Sequence, residues 1–257
     1  MASNDDIVDV SRQAPPIHAA AAVGFARSVD AYERGRPGYP EAAVDWLAGH
    51  FGGPRVVDLA AGTGKLTRAL AARGLEVVAV EPIAEMRAAI AAGGRVAVRD
   101  GRAEAIGLGD ASADAVTVAQ AFHWFDVPRA LAEIHRVLRP AGVLALIFNR
   151  RRMEDEIHRR IQELLEPYRG DVPAHADEGW REPLDRSALF APVARRTFDN
   201  VQVLDAGGLA DRFGSVSFVA ALDAPVRDEL LRALGALAGG ATVTLRYRTE
   251  VEVLRRA

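Results

Sequence analysis

The chain has 257 residues and a formal net charge of −3, so its overall charge does not favour nucleic acid or another polyanion, which would need a local basic patch. It contains no cysteine, which excludes disulfides, thiolate nucleophiles and cysteine-based zinc sites. No run approaches about 18 apolar residues, and residues 1–12 do not look like a signal peptide. We therefore expect a cytoplasmic protein that makes no contact with membranes.

The N-terminal part of the chain lacks a regular pattern. Residues 1–22 are acidic and carry prolines and an alanine run, and we predict a mobile tail. The segment 25–40 is rich in tyrosine, arginine, proline and glycine, which predicts irregular structure. Pro40 then begins a helix that ends at the break 52–54.

Short apolar runs alternate with helical segments between residues 55 and 149. Continuous apolar strands joined by helices indicate parallel strands that are covered on both faces. We therefore predict an α/β fold with a doubly wound, Rossmann-like sheet, and we treat 23–149 as one domain with an N-terminal cover. The first five strands are predicted at 56–60, 76–80, 95–99, 113–119 and 143–148.

The pattern changes after residue 149. A charged helix at 154–165 is followed by a stretch rich in proline and glycine, so we predict that 150–200 forms a helical lid or insertion after the fifth strand. Residues 201–257 are assigned to the C-terminal part of the same sheet domain. Strands are predicted at 193–204 and 242–254, with helices at 206–213 and 224–237.

A glycine-rich turn follows the first strand, and such a turn lets the backbone approach a nucleotide-like ligand closely. The phosphate-binding pattern Gly-x-x-x-x-Gly-Lys-Ser/Thr fails, because Leu59 and Leu66 occupy its first and last positions. The dinucleotide pattern Gly-x-Gly-x-x-Gly/Ala fits Gly62 and Gly64, but Thr67 replaces its third small residue.

A third pattern, Asp-x-x-x-Gly-x-Gly, is met in full by residues 58–64. It is typical of class I S-adenosylmethionine (SAM) methyltransferases, and the segment resembles the small-molecule enzymes called type 11. The resemblance spans nearly all of 26–257, except 150–200. Its further segments are the tyrosine–arginine motif at 32–40, Gly-x-Ala-Glu at 101–104, His-Trp at 123–124, Arg-Pro-x-Gly at 139–142 and the C-terminal strand at 245–250.

The resemblance implies a seven-stranded, mostly parallel sheet with its last strand antiparallel. It also implies methyl transfer from SAM to a small molecule, with S-adenosylhomocysteine (SAH) as the other product. Whether oxygen, nitrogen or carbon is methylated stays open, a carboxylate and a secondary metabolite both being compatible. So does the choice between monomer and homodimer.

The residues that would bind SAM follow the strand ends. Asp58 is placed to meet the amine or its waters, and the backbone N–H groups of Gly62 and Gly64 can meet the carboxylate. Glu81 ends the second strand about 20 positions after the turn, which is how these folds hold a ribose diol. Met86 would cover one adenine face, with a core position as the equal alternative.

The resemblance places other residues around the same ligand. The backbone of Ala103 and the side chain of Glu104 would contact the adenine edge, and Gln120 would close over the methionine end. Arg36, with Tyr32, would cover the methionine moiety and pair with its carboxylate. The full predicted cofactor set is Tyr32, Arg36, Asp58, Ala60, Gly62, Thr63, Gly64, Glu81, Pro82, Met86, Ala103, Glu104 and Gln120.

Tyr39, His123 and Trp124 are predicted to contact the acceptor, in a pocket built from 25–40, 122–126 and 150–215. His123 is the candidate base if the acceptor must lose a proton; the alternative is a packed or capping histidine. His175, Asp177 and Glu178 lack the spacing of metal ligands, and we predict no metal site.

Three other functions compete with this prediction. A SAM-binding scaffold could catalyse a cyclisation or rearrangement without methyl transfer. An NAD-dependent oxidoreductase would also use Glu81, but Thr67 in place of the third small residue argues against it. A macromolecular methyltransferase is the weakest alternative, because no basic aromatic surface is visible in the sequence.

Overall fold

The structure, a computed structural model, describes residues 29–170 and 179–257. The predicted tail at 1–22, and His175, Asp177 and Glu178, lie outside the described residues. The strands are β1 (Arg55–Leu59), β2 (Glu76–Val80), β3 (Val96–Arg99), β4 (Ala113–Ala119), β5 (Leu138–Arg151), β6 (Phe190–Leu204) and β7 (Val243–Arg256).

The helices lie between these strands and before them. A 3-10 turn, Phe122–Trp124, follows β4. No helix in the described part of the chain is long and apolar enough to cross a bilayer. The helices are α1 (Val29–Gly35), α2 (Glu41–Ala48), α3 (Lys65–Ala71), α4 (Ala84–Ala88), α5 (Val127–Val137), α6 (Glu156–Arg169), α7 (Arg181–Arg186), α8 (Ala206–Gly214), α9 (Ser217–Ala220) and α10 (Ala224–Ala236).

Seven strands form one sheet in the order β3-β2-β1-β4-β5-β7-β6. The first five run parallel, and β7 is antiparallel to both β5 and β6. This confirms the expected α/β, doubly wound sheet with its last strand antiparallel. The strand order reverses between β1 and β4, and ligands bind beyond the carboxyl ends of strands at such a switch point.

The central strands β1 and β4 are buried on both faces, as continuous apolar strands require, whereas the edge strands β3 and β6 are largely exposed. Val57 and Leu59 of β1 pack into one hydrophobic core, while Val56 packs into the core on the opposite face. On the first face lies α5, which begins where Asp126 accepts a hydrogen bond from the Arg129 N–H at 3.4 Å. The interpretation of Asp126 as a helix cap is therefore confirmed.

The segment predicted to be irregular contains helix α1, which is a difference from the sequence-based expectation. The helix ends at Gly35, where its backbone lies against α8. Arg34 donates two hydrogen bonds to Asp211 of α8, at 2.7 and 3.1 Å. A seven-residue helix is marginal alone, so these distant contacts stabilise it and no local pattern predicts it.

The segment 150–200 also differs from the predicted lid. β5 continues to Arg151, and β6 begins at Phe190 and pairs with β7, so both ends of the segment belong to the sheet. Between them, Trp180 is buried, with its ring centroid 5.6 Å from those of both Phe122 and Phe148. The proline- and glycine-rich composition predicted a lid and gave no sign that Trp180 packs into the core.

Candidate active site

Two adjoining cavities lie at the carboxyl ends of the central strands. The smaller has a volume of about 120 Å³ and lies beyond β2, whereas the larger, of about 520 Å³, extends towards α6, α8 and α9. The two share a wall, so molecules bound in them would lie next to each other. The shared wall is formed by Tyr32, Ala60, Ala119, Gln120 and Trp124.

The smaller cavity brings together most residues predicted to hold a nucleoside. Met86 is buried in the core and also lines this cavity, so a core position and a place beside the adenine are compatible for it. The other predicted cofactor residues in this wall are Tyr32, Ala60, Gly62, Glu81, Pro82, Ala103, Glu104 and Gln120.

Glu81 is the charged centre of the smaller cavity, and its residue is only 4% exposed. Its Oε2 accepts the Gly62 N–H at 2.8 Å, and its Oε1 accepts the Ile83 N–H at 2.9 Å. Burial raises the pKa of Glu81, while these two backbone bonds oppose the rise. Each carboxylate oxygen keeps a second acceptor position, so the group can still receive two hydroxyls.

The glycine turn does not present its N–H groups as the sequence suggested. The Gly62 N–H is used by Glu81, and the Gly64 N–H donates to the carbonyl of Ala61 at 2.9 Å. The expectation that both bind the cofactor carboxylate is therefore corrected. Both glycines have positive φ, 58° and 82°, and Ala60 shares that conformation with φ 55°. Glycine is required here for the turn itself.

Asp58 lies beneath the turn and lines neither cavity. Its side chain is fully buried and accepts hydrogen bonds from the hydroxyls of Thr67 at 2.6 Å and Thr117 at 3.0 Å. Burial raises the pKa of Asp58 to about 6 against the effect of these bonds. The structure therefore does not support a direct contact with the amine, and a contact through waters stays a prediction. Asp58 links β1 to α3 and β4. Thr67, which replaces the third small residue of the dinucleotide pattern, donates its hydroxyl to this carboxylate.

Glu104 also has partners within the protein. Its Oε1 accepts the N–H of Asp126 at 3.0 Å, and its Oε2 lies 3.7 Å from Nε of Arg102. The carboxylate thus joins the third strand's loop to the start of α5. It lines the smaller cavity, but its contact with an adenine edge stays a prediction.

Helix α1 covers the glycine turn. A methyl group on Gly62 would lie 3.7 Å from the Tyr32 hydroxyl, so the tyrosine ring rests over the turn. Glu33 holds the helix in place: Oε2 accepts the Thr63 hydroxyl at 2.5 Å, and its carbonyl accepts Nζ of Lys65 at 2.6 Å. The sequence analysis did not identify Glu33 and Lys65 as site residues. A single charged side chain in such a segment carries no distinctive signal.

Arg36 is fixed between α1 and the C-terminal helices. Its Nε and Nη2 donate to the hydroxyl and carbonyl of Ser215, both at 2.9 Å, and its guanidinium stacks 5.0 Å from the Tyr32 ring centroid. Burial, and then the neighbouring Arg212, lowers the pKa of Arg36 to about 10. Arg36 lines the larger cavity, and its pairing with a carboxylate stays a prediction.

The predicted acceptor residues Tyr39, His123 and Trp124 all line the larger cavity. The rings of His123 and Trp124 lie 5.0 Å apart, on the 3-10 turn that follows β4. Just before that turn, Gln120 has φ 60°, a strained backbone that aims the chain into the shared wall. Burial raises the pKa of Tyr39, so it stays protonated at neutral pH.

The far side of the larger cavity was predicted only as a region. Its residues come from the end of β5, from α6 and from the α8–α9 corner, which extends the expected range to Phe218. The run Arg150–Arg152 gave no sign of this, because adjacent arginines usually form a solvated surface. The cavity residues from these elements that the sequence did not single out include Arg150, Arg151, Gln162, Glu166, Arg212 and Phe213.

Within the described ranges, no cluster of three histidine, cysteine, aspartate or glutamate side chains could hold a metal ion.

The fold and site together define a class I methyltransferase: a doubly wound sheet with an antiparallel last strand, and a buried acidic residue after β2. A family model described as a methyltransferase domain matches residues 57–146. An uncharacterized methyltransferase of Mycobacterium tuberculosis strain H37Rv is 42% identical over 213 residues, covering 81% of this chain and 83% of the relative. The chain therefore belongs to the class I, type 11 methyltransferase family.

Solved structures agree with this assignment. A protein from Anaeromyxobacter dehalogenans assigned as a type II methyltransferase has 26% identity and a TM-score of 0.66, covering 86% of this chain and 97% of its own. The [4+2]-cyclase SpnF has 17% identity and a TM-score of 0.53, covering 86% of this chain and 84% of its own, and shares the fold alone.

Proposed function

We propose that this protein transfers a methyl group from SAM to a small-molecule acceptor. The observation that carries the proposal is the shared wall: a cavity with a buried carboxylate for a nucleoside adjoins a larger cavity for a second molecule. SAM supplies an electrophilic methyl group, whose bond to sulfur breaks as the acceptor atom forms its new bond, and the sulfur keeps the electron pair. The chain's part is to align the two molecules and exclude water.

The residues present fit the cofactor. Glu81 can accept one ribose hydroxyl at each oxygen while keeping its bonds to Gly62 and Ile83. Pro82, Met86 and Ala103 offer an apolar wall for the adenine, with Glu104 at its edge.

The methionine portion would lie at the shared wall and in the adjoining part of the larger cavity. Arg36 is the cation we assign to its carboxylate, because its guanidinium stacks on Tyr32, which lines both cavities. Ala60 and Gln120 belong to that shared wall, Thr63 lines the adjoining part of the larger cavity, and Tyr32 of α1 borders both cavities.

His123 is the side chain that we propose to act on the acceptor. It lies on the 3-10 turn between the shared wall and the larger cavity, beside Trp124. A neutral hydroxyl, amine or carbon acid would lose its proton to His123. An acceptor that is already anionic would need only a hydrogen bond from it.

The first test is the thermal stability of the protein with SAH or with NAD. At about 100 times its dissociation constant, a ligand that binds only the folded state contributes about 2.7 kcal/mol, and we expect SAH to raise the melting temperature by roughly 5–10 °C. NAD at the same concentration should leave it unchanged. Stabilisation by NAD but not by SAH would contradict the proposal.

The second test follows the methyl group. Wild-type protein, methyl-labelled SAM and a small-molecule extract should give a labelled organic product, whereas a scaffold that catalyses a cyclisation would give none. We expect His123→Ala to lower the rate of label transfer by about 10²-fold or more if the histidine takes a proton, with SAH affinity within about twofold of wild type. A large loss of SAH affinity in this variant would contradict the assigned role.

A further inference from the structure

The larger cavity carries an excess of positive charge. Glu166 is the only carboxylate among its described lining residues. The net charge of the whole chain is −3, so this concentration of cations is local and not a consequence of overall composition. The cationic side chains in the wall are Arg36, Lys65, Arg150, Arg151, Arg169 and Arg212.

Some of these cations are neutralised inside the protein. Lys65 lies 3.8 Å from a Glu33 oxygen, and Arg150 lies 2.8 Å from a Glu250 oxygen. Arg151 and Arg212 differ, because no carboxylate of the described residues lies within ion-pair distance of either one. Glu166 acts on Arg151 only from beyond that distance, so an anion in the cavity could pair directly with both cations.

Arg151 and Arg212 also keep unused hydrogen-bond donors. Arg151 donates from Nη2 to Gln162, and Arg212 donates from Nε to the Tyr247 hydroxyl at 3.3 Å. The Nη1 atom of each is buried and has no partner among the described residues. Arg212 is only 7% exposed, so water compensates it poorly. Leaving a buried charged donor unpaired is costly, and an anion in the cavity would offset that cost.

The elements that carry the two guanidinium groups and their neighbours also add apolar side chains to the cavity wall. Leu165, Phe213, Val216 and Phe218 belong to its wall. Burial and the neighbouring Arg212 lower the pKa of Arg151 to about 10, so it stays charged at neutral pH. The wall therefore combines planar guanidinium donors, which suit carboxylate and phosphate oxygens, with surface for a hydrocarbon body.

We propose that the methyl acceptor is an organic anion whose carboxylate or phosphate group binds Arg151 and Arg212 and whose apolar body lies against Phe213 and Phe218. The inference rests on the proposed methyl transfer and adds the substrate class. The competing assignment is that these arginines bind the carboxylate of SAM. The structure favours Arg36 for that group, because Arg36 stacks on the tyrosine of the shared wall.

The test measures binding of probe ligands to protein saturated with SAH, by titration calorimetry. The probes are hexanoate, hexyl phosphate and, as the neutral counterpart of equal shape, hexanamide. We expect at least one anion to bind about tenfold or more tightly than hexanamide. The comparison of the two anions shows whether carboxylate or phosphate is preferred, and it needs no variant.

The variant Arg151→Gln then assigns the effect. Removing one of the two neighbouring cations should weaken binding of the preferred anion by about tenfold or more, leave hexanamide unchanged and keep SAH affinity within about twofold. The matched control is Arg160→Gln, which changes an exposed arginine of α6 that lies outside the cavity wall.

The outcomes separate this inference from the proposed function. Failure of SAH to bind wild-type protein would overturn the proposed function. With SAH bound, equal affinity for anions and hexanamide, or no saturable binding of either anion at millimolar concentration, would overturn the anionic acceptor alone. Loss of SAH affinity in Arg151→Gln would reassign the arginine to the cofactor and overturn the inference too.

Discussion

Glu81→Gln is expected to weaken SAH binding by about a hundredfold. The carboxylate accepts the N–H groups of Gly62 and Ile83, one at each oxygen. A glutamine amide would turn its NH₂ group towards one of these N–H donors, so the turn loses a bond and one ribose hydroxyl loses its acceptor. Charge-assisted bonds contribute roughly 1.5–3 kcal/mol each, and about 1.4 kcal/mol corresponds to a factor of ten.

Titration calorimetry with SAH measures this effect. Glu85→Gln is the matched control, since Glu85 lies four residues further on, is exposed on α4 and lines neither cavity. We expect the control to bind SAH like wild type. Unchanged affinity in Glu81→Gln would mean that the ribose lies elsewhere, and the cofactor placement would have to be abandoned.

Gly35→Ala is expected to dislodge helix α1. A methyl group at this position would lie 2.4 Å from the backbone nitrogen of Arg212 and 2.4 Å from the carbonyl carbon of Asp211. Backbone atoms cannot yield as a flexible side chain can, so α1 must move away from α8. Overpacking of this kind costs about 1–3 kcal/mol, and we expect that loss in the free energy of unfolding together with about tenfold weaker SAH binding.

Urea unfolding and SAH titration measure the two effects. The control is Gly38→Ala, three residues further along the same segment, where an added methyl group meets nothing within 4 Å. It should change the free energy of unfolding by less than about 0.5 kcal/mol. If Gly35→Ala behaved like this control, α1 would not be pressed against α8 in solution.

The sheet could be predicted because its strands are encoded locally. The bounds 76–80 and 113–119 agree with β2 and β4, since a fully buried parallel strand needs a continuous apolar run. The same holds for the position of Glu81 at the end of β2. Strand ends of a doubly wound sheet converge, so a residue placed there in the sequence lies at the crevice in the structure.

The cover and the far cavity wall could not be predicted, because they depend on contacts between distant segments. Arg36 and Ser215 are 179 positions apart, and no local pattern encodes their hydrogen bonds. Arg151 has the sequence context of an exposed charge, and the packing that leaves it half-buried, with its Nη1 atom enclosed, involves distant segments. Asp58 shows a further limit: spacing identified the motif but not the direction in which the carboxylate points.

Tyr32 of helix α1 borders both cavities, so movement of this helix would affect both of them. Helix α1 is fastened on one side to the glycine turn through Glu33, and on the other to α8 and the residue that follows it through Arg34 and Arg36. Displacing this one helix would open both cavities together. Under the proposed function, SAH and the methylated product would then leave through the same opening, and a product that stays bound would slow release of the other.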